Sequence, residues 1–170
     1  VQGYGLTETA PIVTLNHPFG TKKGSVGKPI AGVEMKVADD GEILVRGDNV
    51  TTGYFNAAEE TARAFDGGWF HTGDIGEIGP DGQLFIRGRK KEMIVTPEGL
   101  NVFPEDVERA LNAVPGVRES AVVGLTSGGG REERVGAVLV LEPHIEPDAV
   151  VRAANASLAD HQRVRRALVW

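Results

Sequence analysis

Cysteine is absent from the 170 residues, which removes disulfides, thiolate catalysis and cysteine–zinc sites from consideration. No apolar run approaches the ~20 residues of a membrane-spanning helix. Positive charge is in short supply: 18 Lys and Arg stand against 24 Asp and Glu, a formal net charge of −6. Nucleic acid is therefore not an expected partner, because phosphate binding calls for a concentrated positive face. The opening residues, VQGYGLTETAP, read as a binding loop and not as a basic-then-apolar leader. The expectation from these absences is a soluble, cytoplasmic protein.

What is present is an ordinary globular balance, 41% hydrophobic and 25% charged, over a length suited to one domain or two small ones. Asn-x-Ser/Thr triplets at Asn49 and Asn155 read as chance matches in a chain without secretory signals. There are no internal repeats or low-complexity tracts.

From Ser25 to Arg89 the texture is β-rich. Val33–Val37 alternates, Asp40-Gly41 supplies a turn and Glu42–Arg46 returns, which predicts a hairpin. A second hairpin is expected from Ile75–Ile78, Pro80-Asp81-Gly82 and Leu84–Arg87. Between them Asn56 reads as the N-cap of a helix over Ala57–Phe65, with Glu59 as its reciprocal partner. Several short strands at close spacing point to a small barrel or curled sheet. Beyond Gly88-Arg89-Lys90-Lys91 the texture becomes α+β. A short strand, Met93–Val95, and a turn at Pro97-Glu98-Gly99 lead to a helix starting at Pro104. Its apolar face is Val107, Ala110, Leu111 and Val114, and Glu105 and Asp106 suit the positive end of its dipole. Strands over Val117–Leu125 and Val135–Leu141, a helix over Asp148–Leu158 and a strand at Ala167–Trp170 complete the expectation.

Four stretches carry possible chemistry. Tyr4-Gly5-Leu6-Thr7-Glu8 groups a ring, a hydroxyl and a carboxylate, which suits a base, a phosphate oxygen and Mg²⁺ respectively. Taken alone it is equally an ordinary tight turn. In Trp69-Phe70-His71-Thr72-Gly73-Asp74, the Asp74 carboxylate could accept from ribose hydroxyls or merely cap its own loop. His71 reads as a packed or exposed ring, since no further ligand lies at metal spacing. Gly88-Arg89-Lys90-Lys91-Glu92 is a ribose or phosphate contact with a hinge, or a solvated charge run. Ser127-Gly128-Gly129-Gly130 lacks the phosphate-loop pattern and reads as a connection between strands.

Together with Gly41-Glu42-Ile43, Gly53-Tyr54-Phe55-Asn56 and Glu105-Asp106-Val107-Glu108, the first three of these stretches occur in the order and spacing of the adenylate-forming, AMP-binding superfamily. That family holds acyl-CoA synthetases, adenylation domains of peptide synthetases and firefly luciferase. The chain most resembles an acyl-CoA synthetase (fatty acid–CoA ligase). The resemblance implies activation of a carboxylic acid with Mg·ATP to an acyl-adenylate, then displacement of AMP by coenzyme A. It implies that Gly3 and Tyr4 meet adenine with Gly5 beside them in the nucleotide site, Thr7 meets the α-phosphate, Glu8 the Mg²⁺, and Asp74 and Arg89 the ribose. Lys91 falls at the family's hinge position. Residues 1–89 would be the barrel-like end of the large domain, and 90–170 a small mobile domain, incomplete.

Some family features do not match. Val95 stands where luciferase and its plant relatives have a lysine, and Thr96–Glu105 looks more like fatty acyl-CoA synthetases. A hydrophobic, fatty substrate is therefore expected. Neither the family's Ser/Thr/Gly-rich phosphate loop nor its adenylation lysine occurs in these residues. The resemblance accordingly implies a C-terminal fragment without adenylation activity of its own. Membrane association stays open, and nothing reads as a basic amphipathic helix. An adenylation domain that loads a carrier protein, and a non-catalytic nucleotide-binding module, are the alternatives.

Overall fold

The structure is a computed structural model that describes residues 2–126 and 133–170. Its contacts divide the chain into two compact units, Val1–Lys90 and Lys91–Trp170. Each has its own core, and together they make an α+β protein. No helix among the described residues is long and apolar enough to cross a membrane.

In the first unit, β1 (Gly3–Tyr4), β2 (Thr14–Leu15) and β3 (Lys28–Pro29) form a small antiparallel sheet. The expected hairpin is present as β4 (Val33–Val37) and β5 (Glu42–Gly47). Its turn closes at Gly41, whose φ of 86° is open to glycine without strain. Helix α1 (Ala58–Ala64) leads into β6 (Phe65–Asp66), β7 (Trp69–Ile78) and β8 (Leu84–Arg89). Strand β7 takes β5 along one edge, and β6 and then β8 along the other. The two sheets are stitched where Val26 donates to Leu84 O at 2.9 Å and Leu84 donates to Gly27 O at 2.8 Å. The unit curls as half a barrel around Val13, Ile43, Val45, Phe70 and Leu84.

One expectation fails at α1. Asn56 does not cap the helix; it sits at φ 53°, and Ala57 occupies the cap position without a side-chain bond. Thr61 compensates, donating to Ala57 O at 2.8 Å and accepting the Tyr54 N–H at 2.9 Å.

In the second unit, β9 (Ile94–Val95) and β10 (Asn101–Val102) pair across the turn at Gly99. Helix α2 (Pro104–Asn112) buries Val107 and Leu111 completely, with Ala110 and Val114 packed beside them, as the spacing predicts. Each such leucine contributes roughly 1.5–3 kcal/mol by leaving water. Strands β11 (Val117–Thr126) and β12 (Glu133–Leu141) run antiparallel. The chain crosses through α3 (Pro147–Asn155) to β13 (Arg166–Val169), which lies parallel to β12. Helix α3 stops short of Leu158. Both amide atoms of Asn155 pair there with backbone groups of Val164, at 2.9 and 3.1 Å, and turn the chain back. The side-chain nitrogen of Asn49 is likewise engaged, donating to Thr9 O and Ile12 O, each at 2.8 Å. Ser127-Gly128-Gly129-Gly130 lies outside the described residues.

Candidate functional site

Sequence reading treats Asp74 as a loop residue. It lies instead within β7, on a bulged stretch. Glu42 pairs with Ile75 and Leu44 with His71, so Thr72, Gly73 and Asp74 together oppose the single residue Ile43. A bulge of this kind interrupts the ladder and re-aims side chains. Gly73 carries a φ of 71°, a left-handed value suited to glycine. The interrupted ladder is repaired by side chains: Thr72 Oγ1 donates to Ile43 O at 2.7 Å, and Gly73 N–H donates to Glu42 Oε1 at 3.0 Å. Asp74 N–H in turn reaches Thr72 Oγ1 at 3.1 Å.

The bulge delivers Asp74 to two distant partners. Tyr4 Oη donates to Asp74 Oδ2 at 2.6 Å, and Arg89 Nε donates to Oδ1 at 2.9 Å. Arg89 is placed by register, opposite Asp74 in the β7–β8 pair. A second irregularity lies just beyond. Ile75 faces Gly88 while Gly76 faces Ile86, which leaves Arg87 as an extra residue on β8. Asp74 is buried, whereas the Arg89 side chain is 44% exposed. Burial foremost, and then the bond to Asp74, push the Tyr4 phenol well above its ordinary value near 10. A carboxylate has about four lone-pair directions. Two are used here, and two remain for hydroxyl donors.

Behind this cluster stands Glu42, 4% exposed at the start of β5. Its Oε2 accepts from Lys90 Nζ at 2.8 Å and from His71 Nδ1 at 3.0 Å, and its Oε1 holds Gly73. Burial raises its pKa, but the bonds from Lys90, His71 and Gly73 outweigh burial and hold the carboxyl below its usual range. An ionised Glu42 requires His71 to carry its proton on Nδ1, so the ring is a structural donor. Lys90 also reaches Asp40 at 2.7 Å, and these two bonds push its ammonium further up.

The opening loop is rigidly held. Gly3 pairs with Leu15, and a Cβ on Gly3 would stand 2.9 Å from Thr14 O. A Cβ on Gly5 would run into the Pro11 carbonyl. Thr9, fully buried, bonds both the N–H and the C=O of Leu6 at 2.9 Å. This shapes a tight turn over Thr7–Thr9, with the Thr7 side chain exposed. Glu8 is half-buried; its carbonyl accepts from Thr51 N–H at 2.7 Å and its Oε1 from Tyr54 Oη at 2.9 Å. Tyr54, Ala57, His71, Thr72 and Gly73 line an open cavity of about 750 Å³ between α1 and β7. The structure thus brings Tyr4, Asp74 and Arg89 into one cluster and pairs Glu8 with Tyr54. Lys91 is the first residue of the other unit and lies on an exposed turn, Lys90–Glu92.

Among the described residues, no group of three His, Asp or Glu could hold a metal alone. A single half-buried carboxylate such as Glu8 fits Mg²⁺ only where phosphate oxygens complete the shell, which is that ion's habit. Glu42 and Tyr54 belong to the site's support; both stand in stretches that carry the resemblance, Gly41-Glu42-Ile43 and Gly53-Tyr54-Phe55-Asn56, but neither was given a role from sequence.

Comparison with known proteins supplies the frame for this geometry. Residues 1–55 match the family described as AMP-binding enzyme. The chain is 44% identical over 142 residues to the long-chain-fatty-acid–CoA ligase FadD15 of Mycobacterium bovis, covering 84% of this chain and 23% of that protein. It is 45% identical over 126 residues to the 2-succinylbenzoate–CoA ligase of Listeria innocua, covering 73% and 27% respectively. The o-succinylbenzoate CoA synthetase of Bacillus subtilis, solved with its acyl-adenylate intermediate OSB-AMP, superposes at a TM-score of 0.90 and 30% identity. That likeness covers 99% of this chain and 37% of the synthetase; the same enzyme has also been solved with ATP and magnesium. The chain therefore spans about a quarter of the length of these two curated relatives. From the matching opening segment, the ligase identities and the shared fold, the chain belongs to the AMP-binding, adenylate-forming enzyme family.

Proposed function

We propose that this chain supplies the adenosine-facing wall and the small domain of an AMP-forming acid–thiol ligase. In this reading Gly3, Tyr4 and Gly5 meet the adenine, Asp74 and Arg89 hold the ribose hydroxyls, and Thr7 donates to the α-phosphate. Glu8 would hold Mg²⁺, which supplies charge neutralisation on the phosphates. Lys91 would be the pivot of the small domain. Lys90 beside it, bonded to Asp40 and Glu42, marks where the first unit's hold on the chain ends.

The observation that carries the reading is the meeting of Tyr4, Asp74 and Arg89 from three separate parts of the chain on one buried carboxylate. Such a cluster binds and orients. It offers no base or nucleophile, which suits attack of a carboxylate on a phosphate, where positioning and charge stabilisation dominate. The hydroxyl of Thr7 and the rigid loop around it would present donors to the α-phosphate. Coenzyme A is the proposed thiol acceptor, and the cytoplasm the proposed setting.

For the acid, we favour a fatty acid. FadD15 of Mycobacterium bovis is named for long-chain fatty acids, and Thr96–Glu105 resembles such ligases. An aromatic acid is the second reading, favoured by the identity to the Listeria innocua succinylbenzoate ligase. The test is ATP-dependent AMP release by the full-length protein with palmitate, decanoate and o-succinylbenzoate, each with and without coenzyme A. Turnover on the fatty acids alone supports the first reading, and on succinylbenzoate alone the second. Absence of AMP release with every acid overturns the ligase reading.

A further inference from the structure

Two bonds tie Glu8 to a single short segment of chain more than forty residues away. Thr51 N–H donates to the Glu8 carbonyl at 2.7 Å, and Tyr54 Oη donates to Glu8 Oε1 at 2.9 Å. That segment is itself braced. Thr51 Oγ1 donates to Gly53 O at 3.0 Å, and Thr61 of α1 accepts the Tyr54 N–H at 2.9 Å. Gly53, at φ 152°, allows this approach, because a Cβ there would stand 2.7 Å from Thr61 Cγ2. The Tyr54 ring is 38% exposed and lines the cavity beside β7, so burial alone does not account for its placement.

Resting on the reading of Glu8 as the carboxylate that meets Mg²⁺, we infer that Tyr54 is a positioning residue. Its hydroxyl donates to Oε1 and fixes the carboxylate plane, leaving the other oxygen for the phosphate-bound ion. A free glutamate side chain loses rotamer entropy when it is ordered on a ligand. Tyr54 imposes that order beforehand, from a segment anchored to α1. Partners of this outer-shell kind change metal affinity or activity by about 10- to 100-fold when removed.

The experiment compares wild type, Tyr54→Phe and Glu8→Gln in the full-length protein, reading the Mg²⁺ concentration for half-maximal AMP release at saturating ATP. Tyr54→Phe is expected to raise that concentration about tenfold, with the KM for the carboxylic acid unchanged. A second readout needs no activity. Isothermal titration of Mg·ATP into the full-length protein, without the acid, should show about tenfold weaker binding in Tyr54→Phe. Glu8→Gln should weaken that binding at least as much. If Glu8→Gln raises the Mg²⁺ requirement and Tyr54→Phe does not, the positioning role is overturned and the metal reading stands. If Glu8→Gln leaves the requirement unchanged, the metal reading falls and takes the inference with it. Unchanged Mg·ATP affinity in Tyr54→Phe likewise overturns the positioning role.

Discussion

Tyr4 and Asp74, 70 residues apart, are joined by a 2.6 Å hydrogen bond in which the phenol donates and the carboxylate accepts. The bond joins the opening loop to the middle strand of the main sheet, so it also holds the fold together. Replacing Tyr4 by Phe leaves a buried carboxylate oxygen short of a donor, at a cost of about 2 kcal/mol. Urea denaturation at neutral pH is the measurement, and a loss near zero would contradict the bond.

The same phenol makes an alkaline signature. Its pKa is raised in the folded chain above the unfolded value near 10. A raised group contributes stability fully present below the unfolded value and lost as pH climbs beyond it. Melting temperature should therefore hold to about pH 10 and then fall, and the part of that fall due to Tyr4 should vanish in Tyr4→Phe.

Glu42 gives the acid counterpart. Held below the usual carboxylate range, it contributes stability present above the unfolded value of about 4.3 and lost as pH drops through its folded value. Glu42→Gln should cost about 2 kcal/mol at pH 7, discounted for the exposure of Lys90. It should also flatten the acid limb below pH 5, read by circular dichroism.

Asp74→Ala should remove discrimination between AMP and its 2′,3′-dideoxy analogue in isothermal titration of the full-length protein. Wild type is expected to prefer AMP by about a hundredfold, for two hydrogen bonds to a charged acceptor. Equal binding of both nucleotides by wild type would place the ribose elsewhere.

In the second unit, Leu111→Ala should cost roughly 3 kcal/mol, because the side chain is fully buried and its neighbours cannot all collapse inward. Hydrogen exchange at β11 and β12 amides is the readout. Gly5→Ala should cost about 2 kcal/mol in the first unit, where the added methyl meets the Pro11 carbonyl.

Local pattern carried the reading a long way. Alternation located the β4–β5 hairpin, and the 3.6 period located α2 with its buried Val107 and Leu111. Motif order brought Tyr4, Glu8, Asp74 and Arg89 forward as candidates. What escaped was long-range or irregular. A bulge has no period, so Asp74 read as a loop residue. Glu42 is buried against the expectation for its type, and only its three donors explain why. Asn56 had a cap residue's chemistry, but its positive φ removes it from that role and Thr61 takes the Tyr54 N–H. The partnership of Glu8 with Tyr54 depends on how β5 and α1 return the chain, which no local signal encodes.

The extra residue on β8 has a consequence for which changes of length the protein can absorb. Counted back from Ile78 opposite Leu84 without the irregularity, Asp74 would face Gly88, and Arg89 would fall to the opposite side of the sheet. Arg87, spent on the irregularity and bonded outward to Glu77 at 2.6 Å, is what advances Arg89 into place. Insertions at the turn through Pro80-Asp81-Gly82 leave that count untouched. A single deletion between Ile86 and Arg89 would keep both side chains of the Asp74–Arg89 pair and still part them.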